Sequence, residues 1–375
     1  MTLAPTLPDG RQIVVTEFAD DPAQAIETGL DLRVQPAPRP EDLGPNEALL
    51  EIRSAALSWV DLLMTSGQYQ HMPKPPYVPG MEYAGVVRAV GPDVAADRCA
   101  VGDRMLVDSM HVGPRSHGDY QAAGGLASYA VVSADLLLPI PGDLDFDQAA
   151  VLLQAYETAY HCLVARANLQ PGETILINGA TGLTGLAAVE MARMLGATVI
   201  ATGRSAEKLK KVEEVGAHHV VTVLDKAGQV RRFRDDVKAL TGGRGVDVVY
   251  DAVGGDISLE SLRCTAFNAR FLIVGWTSTP DVARGRGQRG APNANHLPTN
   301  IIQMKSLIVM GCPSAIAVAK DPSIRPERLA RILQWAGEGK IRPQISHLYV
   351  MDEFRDAFRA RWNGEVTGGC VLRMG

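Results

Sequence analysis

The clearest candidate for chemistry in this sequence is the glycine-rich loop Asn178–Gly185, with the letters NGATGLTG. Its glycines stand at 179, 182 and 185, in the spacing G-x-x-G-x-x-G. The apolar run Thr174–Asn178 precedes the loop, and a helical pattern follows it. Glycines permit a sharp turn and a close approach of the backbone to a pyrophosphate, while a helix N-terminus offers free N–H groups to the anion. This setting predicts dinucleotide binding rather than a glycine-lined packing turn.

The residues after the next apolar run indicate which dinucleotide binds. An acidic residue at this point would bind the ribose 2′-hydroxyl of NAD(H). The chain has Gly203, Arg204 and Ser205 there, with Lys208 one turn later. Two cations and a hydroxyl suit a 2′-phosphate, so we predict NADP(H) as the cofactor. The alternative is that Ser205 is an ordinary helix N-cap beside two solvated cations.

The elements around the loop must form a sheet that positions it. Short β-branched runs alternate with helical patterns, which predicts a Rossmann-type, doubly wound parallel sheet of six strands in an α/β fold. The predicted strands are Thr174–Asn178, Thr198–Thr202, His219–Val223, Val246–Tyr250, Phe271–Val274 and Ser306–Met310.

The rest of the chain predicts a second region. Short strand-like runs at Glu47–Ala56, Tyr83–Val90 and Arg104–Val107 favour a small β-barrel. A helix is predicted over Asp147–Ala165. The tail predicts two helices and a last strand, at Pro326–Glu338, Met351–Trp362 and Gly369–Arg373.

Together these features resemble the medium-chain dehydrogenase/reductase superfamily, closest to its zinc-free quinone oxidoreductase and enoyl reductase branches. The resemblance implies a chaperonin-10 (GroES)-like β-barrel domain at 1–145 and 319–375 and a Rossmann NADP(H)-binding domain at 146–318. It places the active cleft between the two domains. The matching residues are Asp61 with Ser66–Tyr69, Pro79–Gly85, Gly102–Arg104, Gly179–Gly185 and Asp251–Gly254.

The resemblance also assigns catalytic candidates. Zinc-dependent members of the superfamily have Cys at the position of Ser58 and His at the position of Met81, so no metal is expected here. Tyr69 matches a proton donor of the enoyl reductase branch, with a packing role as its alternative. Ser58 replaces a frequent Asn and is expected to hydrogen-bond substrate, whereas Asp61 is expected to cap or brace its neighbourhood.

The predicted cofactor residues combine the glycine loop with positions that the resemblance places near the nicotinamide or the ribose. Plain packing is the alternative for the outermost of them, Thr158 and Trp276. The full predicted set is Thr158, Gly179, Ala180, Thr181, Gly182, Leu183, Thr184, Gly185, Gly203, Arg204, Ser205, Lys208, Val253, Gly254, Gly275 and Trp276.

Composition limits the possible functions. The 375 residues carry 37 Lys plus Arg and 42 Asp plus Glu, a net charge of −5, which disfavours nonspecific nucleic-acid binding. Five scattered cysteines are typical of a reducing cytoplasm, and neither a membrane span nor a signal peptide is predicted. The segment Pro280–Pro298 is predicted as a mobile loop, whose Arg284, Arg286 and Arg289 are more typical of solvated charges than of an anion grip.

The sequence thus predicts a cytoplasmic, zinc-free NADPH-dependent reductase that passes hydride to a quinone or an electron-poor C=C bond. We expect a small-molecule electrophilic acceptor and a homodimer, with no nucleic-acid or membrane partner. A catalytically idle NADPH-binding protein of the same fold is the alternative.

Overall fold

The computed structural model describes residues 7–69, 71–277 and 295–375. The chain divides into two compact units, one of residues 7–154 with 342–375 and one of residues 155–277 with 295–341. Most of the predicted loop Pro280–Pro298, including Arg284, Arg286 and Arg289, lies outside the described residues.

The elements are numbered in chain order through the described residues. None of the described helices is both long enough and apolar enough to cross a membrane. The strands are β1 (Gly10–Val15), β2 (Leu30–Gln35), β3 (Glu47–Ala56), β4 (Tyr83–Val90), β5 (Arg104–Val107), β6 (Tyr129–Ser133), β7 (Leu137–Pro139), β8 (Thr174–Asn178), β9 (Thr198–Gly203), β10 (His219–Thr222), β11 (Val246–Asp251), β12 (Thr265–Ile273), β13 (Ile308–Gly311), β14 (Ile345–Val350) and β15 (Gly369–Arg373). The helices are α1 (Pro22–Thr28), α2 (Trp59–Thr65), α3 (Phe146–Ala149), α4 (Leu153–Tyr160), α5 (Leu183–Met194), α6 (Ala206–Val215), α7 (Arg234–Leu240), α8 (Gly255–Arg263), α9 (Thr299–Met304), α10 (Ser314–Lys320), α11 (Arg325–Gly337) and α12 (Phe354–Trp362).

The first unit is rich in antiparallel sheet. Its main sheet has the order β14-β15-β3-β4-β5-β7, with β6 also paired to β3, while β1 and β2 form a separate hairpin. The chain's last strand, β15, runs antiparallel to β3 and sets Val371 opposite Ala56. The C-terminal tail therefore adds β14 and β15 to the sheet that β3–β7 form. Alternate side chains of β3, such as Leu50 and Ile52, are buried in the core of this unit.

The second unit is a parallel sheet in the order β10-β9-β8-β11-β12-β13, which confirms the predicted six-stranded Rossmann architecture. Each neighbouring pair of strands in it is parallel. Apolar side chains of its strands, including Leu176, Ile200, Val249 and Phe271, are fully buried. The direction of winding reverses between β8 and β11, and in such sheets ligands bind outside the carboxyl ends of the strands at this point.

Several boundaries differ from the sequence-based expectation. The predicted helix Asp147–Ala165 is interrupted, because α3 ends in a turn before α4 begins and α4 passes into a π-helical segment, His161–Arg166. The last strand of the parallel sheet starts at Ile308 rather than Ser306, because Ser306 has a φ of 52°, which does not fit a strand.

The domain boundary in the tail also lies elsewhere. The sequence assigned residues 319–341, including all of α11, to the first domain, but in the structure they belong to the second unit. Two arginines near the start of α11 explain this placement. Arg325 and Arg328 both pair with the buried Glu157 of α4, at 2.9 and 2.7 Å, and hold α11 within the second unit.

Candidate functional site

The glycine loop between β8 and α5 is shaped by the absence of side chains. Gly179 has a φ of +70°, which a glycine adopts without strain. A Cβ atom on Gly185 would lie 2.2 Å from the carbonyl oxygen of Gly179, closer than any real contact. By contrast, a Cβ on Gly182 would meet only that same carbonyl oxygen, at 3.5 Å. Gly185 is therefore required by packing inside the protein, whereas the absent side chain of Gly182 leaves open space.

The start of α5 leaves its N–H groups available. Gly182 is the N-cap residue and has no side chain to accept a bond from the first turn. The helix then runs for 12 residues, so its dipole and the free N–H groups of Leu183 and Thr184 favour an anion at this end. A cradle without a Cβ, at the N-terminus of a long helix, fits the pyrophosphate of a dinucleotide.

A network of buried polar side chains lies at the ends of the strands next to the glycine loop. Asn178, at the end of β8, donates hydrogen bonds to Asp251 (3.2 Å) and to Ser261 (2.9 Å). Thr202, at the end of β9, donates to the Asn178 side-chain oxygen at 2.8 Å. The side chains thus join the carboxyl ends of β8, β9 and β11, a role of Thr202 and Ser261 that the sequence did not predict. For Thr202, the signal was a polar residue that follows an apolar run, whereas Ser261 lies on α8 and gave no such signal.

Asp251 holds the turn that follows β11. Its carboxylate accepts hydrogen bonds from the backbone N–H groups of Val253 (3.1 Å) and Gly254 (3.2 Å) and from the Ser258 hydroxyl. Burial raises the pKa of Asp251, while these bonds oppose the rise. The Val253 side chain lies next to Gly179, since a Cβ atom on Gly179 would be 3.1 Å from it. The structure therefore brings the predicted residues Val253 and Gly254 beside the glycine loop.

The end of β9 lies beside the same loop. The backbone N–H of Ala180 donates to the carbonyl of Thr202 at 3.1 Å, and a Cβ on Gly203 would meet the Thr181 side chain at 3.1 Å. Arg204 is exposed immediately after this strand. Ser205 caps α6, because its hydroxyl accepts the N–H of Lys208 at 3.3 Å. Ser205 therefore has the capping role that the sequence left open, and the cofactor role of Arg204, Ser205 and Lys208 stays a prediction.

Three further predicted residues lie elsewhere in the second unit. Gly275 follows β12 and donates its N–H to the carbonyl of Asp251 at 3.3 Å, which places it beside the β11 turn. Its neighbour Trp276 is 45% exposed. Thr158 lies half-buried on α4. Their contact with a cofactor stays a prediction.

The two catalytic candidates lie in the first unit. Ser58 is the N-cap of α2, and its hydroxyl donates to the Asp61 carboxylate at 2.7 Å. Asp61 also accepts the backbone N–H groups of Ser58 (2.8 Å) and Gly80 (3.1 Å). It is only 1% exposed, and burial raises its pKa. Asp61 therefore braces the α2 turn and the Gly80 loop, as expected, and Ser58 is part of the same capping box.

The remaining residues of the motifs matched in the first unit differ in burial and bonding. Tyr69 follows α2 and is half-buried. Met81 is buried, and the neighbouring Glu82 accepts the backbone N–H of Gln154 at 2.8 Å. Within the described parts of the chain, no group of three or more His, Cys, Asp or Glu side chains is placed to hold a metal ion.

Two family models match the chain, one in each unit. The model described as an alcohol dehydrogenase GroES-like domain matches residues 44–142. The model described as a zinc-binding dehydrogenase matches residues 184–319. The first match covers most of the strands of the first unit, and the second covers α5 and most of the parallel sheet.

Individual proteins are similar along almost the whole chain. Quinone oxidoreductase-like protein 2 homolog from Nematostella vectensis is 33% identical over 348 residues, which cover 92% of this chain and 87% of the relative. A solved structure of a probable oxidoreductase from Mycobacterium abscessus is 27% identical, with a TM-score of 0.77 over 98% of this chain and 99% of that one. A mycobacterial protein solved in complex with NADPH is 26% identical, with a TM-score of 0.74 over 97% and 99% of the two chains.

Proposed function

Because this chain belongs to the medium-chain dehydrogenase/reductase superfamily of oxidoreductases, we propose that it is a zinc-free, NADPH-dependent reductase. Its acceptor is a quinone or an electron-poor C=C bond in an enone, an enal or an enoyl ester. We further infer that it acts as a homodimer on a small-molecule acceptor in the cytoplasm.

The observation that carries this proposal is the cradle at the start of α5. Gly182 presents no side chain, Gly185 has no room for one, and the uncapped first turn offers N–H donors to an anion. Backbone donors at a helix N-terminus bind phosphate groups without any charged side chain. The residues present therefore fit the pyrophosphate of a nicotinamide dinucleotide.

The residues after β9 favour the phosphorylated cofactor. The exposed Arg204 directly follows the strand whose end lies beside the glycine loop. A guanidinium recognises a phosphate through two parallel hydrogen bonds, and no carboxylate occupies residues 202–206 to repel the phosphate. The solved mycobacterial relative in complex with NADPH supports the same choice.

The first unit supports reduction without a metal. The positions that hold zinc ligands in zinc-dependent members are Ser58 and Met81, and neither side chain is a usual zinc ligand. The Ser58 hydroxyl already donates a hydrogen bond to Asp61. When bound, the reduced nicotinamide supplies the hydride. Tyr69 is the residue of this chain that we propose as proton donor, because a tyrosine hydroxyl can serve as a general acid.

The decisive experiment is a screen of NADPH oxidation by the purified protein with quinones, 2-enones, 2-alkenals and enoyl-CoA esters. We expect turnover of at least one of these acceptors, with NADPH preferred to NADH. Tight NADPH binding without turnover of any acceptor would instead favour the idle binding protein. Failure to bind either cofactor would contradict the assignment of the cradle.

Metal content tests the zinc-free part separately. We expect purified protein to hold no stoichiometric zinc and to keep its activity in the presence of a chelator. The reason is the chemistry of Ser58 and Met81. One tightly held zinc per chain, whose removal abolishes activity, would show that other ligands form a metal site.

A further inference from the structure

An open surface pocket of the second unit lies away from the glycine loop. It has a volume of about 440 Å³, and we call it the basic pocket. Cavities of about 300–1,000 Å³ are the size that small ligands fill. Side chains of α7, α8 and α9 and of the residue after α9 form its walls. The lining residues are Arg234, Lys238, Arg263, Ile301, Met304 and Lys305.

The position of the basic pocket separates it from the cofactor cradle. Lys305 donates hydrogen bonds to the carbonyl oxygens of Arg263 (3.1 Å) and Thr265 (2.7 Å). Thr265 is the first residue of β12, so Lys305 marks the amino end of this strand. The glycine loop follows the last residue of β8, at the carboxyl end of the same parallel sheet. The two sites therefore lie at opposite ends of the sheet.

The charges in the basic pocket do not balance. Arg234 and Arg263 share one carboxylate oxygen of Glu260, at 2.9 and 3.1 Å. The other Glu260 oxygen is buried and accepts no hydrogen bond within the described residues. The Lys238 ammonium has no carboxylate partner there. Four cations thus line the pocket, whereas the carboxylates paired with them are Glu260 and, 3.9 Å from Arg234, Asp235.

The lysines of the pocket repel each other. Burial lowers the pKa of Lys305, and the positive charge of Lys238 lowers it further. The Lys305 ammonium already donates to three oxygens, the two carbonyls and the Thr265 hydroxyl at 3.2 Å. Like charges held together destabilise the protein unless an anion lies between them. An anionic ligand would relieve this repulsion and use the free donors of Lys238 and of the two arginines.

We propose that the basic pocket binds a small molecule with two or more negative charges, such as an organic diphosphate. Arginine forks and lysine ammonium groups are the usual protein ligands of phosphate oxygens. Ile301 and Met304 provide an apolar wall for an uncharged part of the molecule, and Met304 is 64% exposed. This inference does not depend on the proposed reductase activity.

The test is calorimetric titration of the full-length protein with inorganic pyrophosphate, at an ionic strength fixed with sodium chloride. Lys238→Gln and Arg263→Gln each remove one charge from the pocket. We expect each to weaken pyrophosphate binding about tenfold, the cost of one charge-assisted hydrogen bond. Lys238→Arg should restore most of the affinity. Inorganic phosphate should bind more weakly than pyrophosphate because fewer cations can contact it.

A matched control is Lys320→Gln, which removes an exposed lysine of α10 that does not line the pocket. It should leave the affinity within about twofold of the wild type, because surface charges act weakly at a distance in salt. Absence of pyrophosphate binding by the wild type would overturn the proposal. So would binding that both pocket variants retain, since that result would place pyrophosphate elsewhere, for example at the glycine loop. Thermal unfolding of each variant checks that it is folded.

Discussion

The glycine loop of the second unit and the α2 region of the first unit use their polar groups in different ways. Around the loop, the side chains of Asn178, Thr202 and Asp251 bond to one another, and the backbone N–H groups at the start of α5 remain available. At α2, Ser58 and Asp61 bond to each other and to the backbone, so the helix end is closed by its own cap.

This difference bears on how the function of each region is inferred. A site made of backbone N–H donors requires glycines at the positions where a Cβ would block the ligand. Few other roles explain a glycine at such a position. A site made of side chains is more ambiguous, because the same Ser and Asp that would serve substrate also serve as a helix cap. The cofactor site therefore rests on stronger physical grounds than the catalytic residues do.

The largest expected effect comes from a side chain added inside the glycine loop. In Gly185→Ala, the new Cβ would lie 2.2 Å from the Gly179 carbonyl oxygen, so the loop backbone must shift. We expect a loss of about 2–3 kcal/mol in the free energy of unfolding and of about a hundredfold or more in NADPH affinity. Denaturant titration and fluorescence titration measure the two effects.

Gly182→Ala is the matched control for this change. Its Cβ would make only an ordinary contact, at 3.5 Å from the same oxygen, and the φ of −79° at Gly182 suits alanine. We expect stability within about 0.5 kcal/mol of the wild type but weaker NADPH binding, because the methyl group fills the open cradle. Unchanged NADPH affinity in Gly182→Ala would show that the cofactor does not approach this glycine.

The next effect tests the first unit. Tyr69→Phe keeps the ring of a half-buried residue and removes only its hydroxyl. If the phenol donates the proton, kcat on enone substrates should fall at least about tenfold, since general acid catalysis is typically worth about 10²–10⁴-fold. NADPH affinity should hardly change, and quinone reduction should suffer less because quinol oxygens take protons from water. Full enone turnover in Tyr69→Phe would return Tyr69 to a packing role.

Arg204→Ala tests the choice of cofactor. Removal of a charge-assisted contact costs about 1.5–3 kcal/mol, which corresponds to about ten- to hundredfold weaker NADPH binding. NADH binding should stay nearly constant, because NADH lacks the 2′-phosphate. Arg232→Ala, which removes another exposed arginine of the second unit, is the control and should affect neither cofactor. Equal losses for NADPH and NADH in Arg204→Ala would mean that Arg204 does not recognise the 2′-phosphate.

The smallest expected effect separates capping from catalysis at Ser58. Ser58→Ala removes the side chain that caps α2 and should lower the free energy of unfolding by about 1 kcal/mol, whereas Ser58→Thr keeps a capping hydroxyl. If Ser58 only caps the helix, kcat in Ser58→Ala stays near the wild-type value at temperatures where the variant is folded. A kcat loss that Ser58→Thr rescues without any change in stability would instead support substrate contact.

Most strands of the parallel sheet could be predicted closely, because strands buried on both faces are continuous apolar runs, but β12 begins at Thr265 rather than at the predicted Phe271. The strand Thr174–Asn178 has the same ends in the structure as in the sequence pattern. The helix predicted over Asp147–Ala165 was wrong in its continuity, since α3 ends at Ala149 in a turn and α4 begins at Leu153. The spacing of apolar residues does not indicate where a buried helix is interrupted by a turn.

The sequence by itself determined the glycine loop, the order of strands and helices around it, and the residue types at the end of β9. These are local properties, because glycine spacing and apolar runs act through the backbone of a few neighbouring residues. Only the tertiary structure decided that Thr202, Ser261 and Asp251 are joined through Asn178 next to the loop, and that four cations, from α7, α8 and the residue after α9, line the basic pocket. Residues distant in the chain become neighbours through strand order and helix packing, which no local pattern encodes.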